Sequence, residues 1–403
     1  MGVLHLAQRD SCLRTADPEH ALGAAGRTLR RGGGILATAG WGMLALRHRL
    51  PSVNLERYPP LPPDSVDTSD ERPVNLLVMD GGGIKGLNLM VMVEEMEREL
   101  GEPAGEIFEL MGGTSIGGCA AMFLSKFPQR SERGYLPWRT ISPTGGVHMA
   151  RLALEELRAR CLAHCDNWRL VWHGHLCPDE RRAFILDVCG PDQRLGSEGT
   201  RSFALSSRKT RGGSLEPFLF RSYDLGACAQ SKAKALAGTS RALLWQAVEA
   251  TSAAPTMFPR CVSWGRERFL DGMLIANDPT LFALREARTI WPNRPIGTVL
   301  SLGTGDASPT ADGSAEARRL RKIRQAVQAI SPSAKYYRFQ PVLEQHDCSP
   351  FEHDERRLRQ MEEATRRAFR AGNRDLLAAL RSSRGRQQRA GRARSRLRRP
   401  DAA

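Results

Sequence analysis

The sequence predicts an α/β fold built on a mostly parallel sheet, with helices covering both faces. Three observations carry the prediction. Apolar runs of strand length at Val74–Met79, Phe203–Ser206, Pro217–Tyr223 and Ile296–Leu302 recur between helix-period segments, the alternation expected of strands joined by crossover helices. The first run is apolar at every position but Asn75, as a strand buried on both faces requires. Two strand ends pass through glycine clusters directly into helical segments. No internal repeat is present, which sets aside solenoids and repeat arrays.

The chain has 403 residues, of which 41% are hydrophobic and 26% charged. That is enough apolar content for a buried core and too much for global disorder. No stretch reaches the ~18 consecutive apolar residues of a spanning helix, so a polytopic membrane protein is excluded. The formal charge is +15, and much of it sits in one place. Residues 381–403 hold nine arginines and one acid, Asp401, a net +8 that leaves +7 for the rest. The body is only moderately basic, which favours an anionic surface without naming it. Nine cysteines spread from Cys12 to Cys348 are odd in number and sparse, unlike a secreted disulfide framework. Free thiols in a reducing compartment fit better.

Residues 1–73 read as an N-terminal extension. Within it Gly32–Leu46 is a 15-residue stretch without charge, which as a helix reaches ~22 Å, short of a ~30 Å bilayer core. Three uses stay open: lying in a membrane interface, acting as a targeting segment, or packing as an ordinary core hairpin. Tyr58–Asp70 has the Pro/Ser/Asp composition of a linker. From Val74 the ordered part begins: a strand, a glycine cluster, a helix from Leu87 to Leu100, then a second apolar-to-glycine transition at Met111–Thr114 and a helix over Ile116–Phe127. Between Asp306 and Arg381 the pattern turns helical and basic.

Asp80–Leu87 (DGGGIKGL) follows the first strand and opens a helix. Glycines here expose several backbone N–H groups to one point, and the helix N-terminus adds partial positive charge. Such a turn binds an undefined anion or is simply tight. A nucleotide P-loop needs Ser or Thr after its Gly-Lys pair, whereas Lys85 is followed by Gly86 and Leu87. Gly113-Thr114-Ser115-Ile116-Gly117 matches G-x-S-x-G. A serine held on a sharp strand-to-helix bend needs small residues two positions either side, and the bend presents its hydroxyl at a helix N-terminus. Cys119 lies inside the helix rather than at the bend, so it is read as packing.

A serine hydroxyl needs a base. None of the nine histidines sits in a convincing strand-end loop. Phe269-Leu270-Asp271-Gly272 instead places an acid between an apolar pair and a glycine, with Asn277-Asp278-Pro279 downstream. A desolvated carboxylate can act as base directly, while Asp-Gly is also an ordinary hairpin turn.

Taken together these pieces resemble the patatin-like lipid acyl hydrolases, in particular the calcium-independent phospholipase A2 branch. Six blocks occur in the family's order: DGGGIKGL, GTSIG, Trp245–Pro259 (WQAVEATSAAPTMFP), Phe269–Pro279 (FLDGMLIANDP), Val299–Gly305 (VLSLGTG) and Tyr336–Pro341 (YYRFQP). The resemblance implies a patatin-like three-layer α/β/α fold with a catalytic domain over 74–305 and a C-terminal helical continuation over 306–380, while composition alone makes 381–403 a disordered arginine tail. It implies a Ser115–Asp271 dyad cleaving fatty-acyl esters of phospholipids, galactolipids or acylglycerols through an acyl-enzyme. Gly81, Gly82 and Gly83, with Lys85 nearby, would form the oxyanion hole, and Gly113 and Gly117 the elbow. No cofactor or metal is implied. The expected partner is a phospholipid or glycolipid membrane surface, met by a cytoplasmic, peripherally associated protein, with nucleic acid disfavoured. One departure stands out: Met273 occupies a position where the family carries Gly or Ala, either crowding the acyl channel or pointing into the core. The rivals are a catalytically impaired lipid-binding relative, a Ser-Asp-His hydrolase using His346 or His353, and a nucleic-acid binder acting through the arginine tail.

Three further features have two readings each. Cys161, His164, Cys165, His173, His175 and Cys177 are dense enough for structural zinc but lack paired C-x-x-C knuckles, so ordinary thiols and surface histidines are preferred. Ala317–Ile330 carries Leu320, Ile323, Val327 and Ile330 at helical spacing among arginines; that stripe packs on the core or lies on an anionic lipid surface. Arg381–Arg399 has almost nothing to bury and reads as a solvated tail or a phosphate-binding one.

Overall fold

A computed structural model describes residues 73–126, 178–196, 199–225, 235–255, 262–264, 266–306, 314–348, 350, 352 and 354–383. The apolar segment Gly32–Leu46, the cluster Cys161–Cys177, His353 and the arginine tail beyond residue 383 lie outside the described residues.

The strands are β1 (Val74–Met79), β2 (Leu110–Thr114), β3 (Arg201–Lys209), β4 (Leu215–Arg221), β5 (Gly238–Thr239), β6 (Val262–Trp264), β7 (Glu267–Asp271), β8 (Ile296–Leu302) and β9 (Lys335–Phe339). They form one sheet in the order β5-β4-β3-β2-β1-β8-β9. The run from β3 through β2, β1 and β8 to β9 is parallel throughout. β4 is antiparallel to β3, and the β6–β7 hairpin docks antiparallel on β3.

β1 is buried at all six positions, and its side chains alternate between two cores as strand geometry dictates. Leu77 and Met79 join one cluster; Val74, Leu76 and Val78 join the other. The helices α1 (Gly86–Leu100), α2 (Ala104–Ile107), α3 (Ile116–Lys126), α4 (Pro178–Cys189), α5 (Leu244–Thr251), α6 (Thr280–Ile290), α7 (Ala315–Ile330), α8 (Glu355–Gly372) and a last helix, α9, over 374–383 cover the sheet. Met90 and Val93 of α1, Met361 and Phe369 of α8 and Leu376 of α9 fill the first core. Phe282 and Leu284 of α6 and Ile323 and Val327 of α7 fill the second. The fold is therefore the expected three-layer α/β/α arrangement. α1 stops where Gly101 turns left-handed at φ +71, a conformation that costs glycine nothing.

Two expectations need adjustment. The strand expected over Pro217–Tyr223 runs two residues earlier, because the antiparallel register with β3 pairs Lys209 with Leu215 and Phe203 with Arg221. The apolar stripe of α7 is not available to a lipid surface: Ile323, Val327 and Ile330 are buried in the second core, while Arg318, Arg321, Lys322 and Arg324 face outward. Ser314 caps this helix by accepting the Ala317 N–H at 3.0 Å. No helix of the described residues is long and apolar enough to cross a membrane.

Candidate active site

β2 ends at Thr114 and α3 begins at Ile116, leaving Ser115 alone on the bend. Its φ is +54, a left-handed conformation that costs a non-glycine residue of order 1–3 kcal/mol. The flanking glycines have physical reasons. A Cβ on Gly113 would run into the Gly117 backbone, and one on Gly117 into the Met79 carbonyl at the end of β1. Thr251 at the end of α5 fixes the bend from the other side: its hydroxyl accepts the Ser115 N–H at 3.0 Å and donates to the Leu205 carbonyl at 2.5 Å.

Asp271 reaches this bend through sheet register. β2 pairs with one edge of β3 until Thr114 stands opposite Leu205. β7 takes over at the next position, with Asp271 opposite Ser206. Two strands far apart in sequence thus end against consecutive residues of β3, and their side chains meet. The Ser115 hydroxyl donates to Asp271 Oδ2 at 2.7 Å, and the Met273 N–H donates to Oδ1 at 2.8 Å. Asp271 is fully buried. Burial pushes its carboxyl up from 3.8 to about 6, against the pull of the Met273 amide, the Ser115 hydroxyl and the Arg181 charge. A carboxylate so placed can accept a proton near neutral pH. Ser115 itself is partly exposed, so a substrate can approach it.

The glycine turn lies alongside. A Cβ on Gly81 would meet Ser115 Cβ at 3.1 Å, which measures how closely this loop passes the hydroxyl. The Gly81 N–H donates to the Asn277 carbonyl at 3.4 Å, and the Gly81 carbonyl accepts from Asn277 Nδ2 at 3.2 Å and the Thr304 hydroxyl at 3.3 Å. Among the described residues the N–H groups of Gly82 and Gly83 have no protein acceptor. Gly83 has φ +58, and a Cβ there would strike the Pro350 carbonyl at 2.5 Å.

Three positions differ from a simple projection of the sequence motifs. The Gly81 amide is already bonded. The Lys85 ammonium does not stand free beside the glycines; it donates to the Gly305 carbonyl at 2.8 Å and pairs with Asp347 at 2.7 Å. Met273 is partly exposed, so its side chain is not absorbed by the core. His346 sits in the 3-10 turn Glu344–His346, and the position beside Ser115 Oγ is held by a carboxylate instead. Cys119 is buried, its thiol pushed up to about 12 by desolvation, which leaves it inert.

Two contributors were not singled out from sequence. Thr251 lies within Trp245–Pro259, where nothing in the motif marks its hydroxyl. Arg181 of α4 is buried, donates to the Glu249 carbonyl at 2.7 Å and to Ser252 Oγ at 2.9 Å, and acts on Asp271 electrostatically. Nothing in the local pattern of α4 separates it from its exposed neighbour Arg182.

Comparison with known proteins places these residues in context. Residues 77–284, just over half of the chain, match the family profile described as patatin-like phospholipase. The chain is 26% identical over 325 residues to phospholipase A I of Arabidopsis thaliana, covering 67% of this chain and 24% of that protein. It is 24% identical over 292 residues to calcium-independent phospholipase A2-gamma of Mus musculus, covering 69% and 36%. To the 85/88 kDa calcium-independent phospholipase A2 of Mus musculus it is 29% identical over 253 residues, covering 57% and 27%. The chain therefore spans between 24% and 36% of the length of these curated relatives.

Proposed function

The chain belongs to the patatin-like phospholipase family, and from that premise we propose that it hydrolyses fatty-acyl esters of membrane phospholipids with a Ser115–Asp271 dyad. The observation that carries the reading is the 2.7 Å hydrogen bond from Ser115 Oγ to a buried carboxylate, on a bend whose φ is +54.

In the proposed reaction Asp271 accepts the Ser115 proton as Oγ attacks the ester carbonyl. The N–H groups of Gly82 and Gly83 receive the developing oxyanion, and each preorganised donor of this kind contributes ~2.7–4 kcal/mol. Collapse of the tetrahedral intermediate expels the lysolipid alkoxide, which takes the proton from Asp271 and leaves an acyl group on Ser115. Water then gives a proton to Asp271, attacks the acyl carbonyl, and releases fatty acid as the proton returns to Ser115. Lys85 is assigned to holding the loop through Gly305 and Asp347 rather than to donating directly. Met273 is assigned to the rim of the acyl channel, since its main-chain N–H bonds the base while the residue is partly exposed. Substrate reaches the site from a phospholipid or glycolipid surface, which the protein meets peripherally, and activity is independent of calcium, as the names of two relatives suggest for those proteins.

Fatty-acid release from phospholipid vesicles in the presence of a calcium chelator tests the reading. The wild type should release fatty acid, while Ser115→Ala and Asp271→Asn should not, each retaining the wild-type near-ultraviolet circular dichroism. Full activity in either variant overturns the dyad.

A further inference from the structure

We propose that Arg338 is a positioning residue for the oxyanion loop, its guanidinium clamping Asp80 at the root of the glycine turn and facing the Asp278 turn that follows the base. The inference rests on the reading of Gly82 and Gly83 as oxyanion donors. Asp80 is the residue between β1 and Gly81. Its two carboxylate oxygens accept from Arg338 Nη1 at 2.9 Å and Nη2 at 2.6 Å. Arg338 projects from β9, and the same fork donates to Ser301 Oγ on β8 at 2.8 Å and to Gln340 at 3.1 Å. Its Nη1 stands 3.9 Å from Asp278 Oδ2, which also faces Arg319 at 3.8 Å. The Arg338, Asp80 and Asp278 side chains are only 7%, 4% and 0% exposed.

The geometry links this pair to the chemistry through one residue on each side. Asp80 precedes Gly81, and Asp278 follows Asn277, which binds Gly81 at both its N–H and its carbonyl. Fixing Asp80 and the Asn277–Asp278 turn therefore fixes the peptide planes that aim the next two amides. Displacing such donors by about an ångström costs on the order of 100-fold in rate. The planar fork is essential to this arrangement: one guanidinium makes four hydrogen bonds to three residues, which a single ammonium nitrogen on a flexible stem does not reproduce. Neither Asp80 nor Arg338 touches the dyad in the hydrogen bonds described above, so the residue acts through the loop and not on substrate.

The test uses three variants of the full chain, with a soluble short-chain ester for kinetics and hydrogen exchange of the amides in residues 81–85. Asp80→Asn/Arg338→Gln removes both charges of the clamp together and leaves the buried Asp278 facing Arg319 at 3.8 Å. Arg338→Lys keeps the charge and loses the fork. Arg221→Gln/Glu286→Gln is the matched control, because that pair is equally buried and bidentate at 2.7 and 2.8 Å but joins β4 to α6, away from the loop. The first variant should lower kcat about 10–100-fold with KM within about twofold, and should speed exchange in residues 81–85. Arg338→Lys should fall between it and wild type, and it carries the test should the double variant not fold. The control should lose thermal stability with kcat unchanged. The clamp is overturned by wild-type kcat in folded Asp80→Asn/Arg338→Gln, by unchanged loop exchange, or by a kcat loss that tracks thermal stability in the control as well. A wild type that cleaves no ester sinks the hydrolase reading, and the exchange measurement then decides the clamp alone.

Discussion

Asp271→Asn should make the protein more stable at neutral pH while abolishing turnover. The carboxyl is fully buried and pushed from 3.8 to about 6, so the folded protein holds its proton over a range where the unfolded chain has released it. A raised carboxylate pKa makes stability fall as pH climbs from about 4 to about 6. At ~1.4 kcal/mol for each pH unit, the displacement from 3.8 to about 6 corresponds to about 3 kcal/mol withheld from the wild type above pH 7. Asparagine carries no charge to desolvate, and its amide oxygen still accepts the Met273 N–H. Isothermal urea unfolding of both proteins at intervals from pH 4 to pH 8 gives the assay. The stability advantage of the variant should be near zero at pH 4, grow through pH 5–6 and level off at about 3 kcal/mol. An advantage that shrinks or reverses as pH rises refutes the claim that this carboxylate is held up by burial.

Other outcomes follow from the same geometry. For the wild type, kcat/KM on a soluble ester should rise through an apparent pKa near 6 and then plateau, because the base must be ionised. Arg181→Met should move that rising limb to higher pH, since the arginine holds the carboxyl down; a limb that stays put or moves lower contradicts the coupling. Ser115→Gly and Ser115→Ala should both be inactive, but the glycine variant should be more stable by roughly 1 kcal/mol in urea unfolding, because φ +54 strains any residue with a Cβ. Gly83→Ala, which puts a methyl against the Pro350 carbonyl at positive φ, should lower kcat about 100-fold or more in steady-state assays.

Much of the fold is legible in the sequence because its signals are local. β1 and β8 are mostly apolar runs, each entered from a proline and leaving toward glycines, and their limits coincide with the expected ones. Ser115 is legible for the same reason: the clash of a Gly113 or Gly117 Cβ with backbone is written into the motif spacing. Asp271 is different. Asp-Gly is also a common turn, and what makes Asp271 a partner for Ser115 is the handover from β2 to β7 along the edge of β3, a register that no local pattern encodes. Resemblance to a family supplied that pairing where periodicity did not. Arg338 and Arg181 lie further still from local signals. The Asp80–Arg338 bond joins residues 258 positions apart, and Arg181, one of two adjacent arginines in a helix of mixed charge, reads like its exposed neighbour Arg182. The stripe on α7 could be recognised as amphipathic, but only the packed structure shows that its apolar face is spent on the core.

The central claim is that Ser115 carries the acyl group during turnover. Rapid acid quench of the protein with a slowly deacylated long-chain ester, followed by peptide mass mapping, measures this directly. An acyl mass on the peptide containing Ser115, absent in Asp271→Asn at the same quench time, is the predicted result. An acyl group found on another residue, or product formed at the wild-type rate by Ser115→Ala, would contradict it.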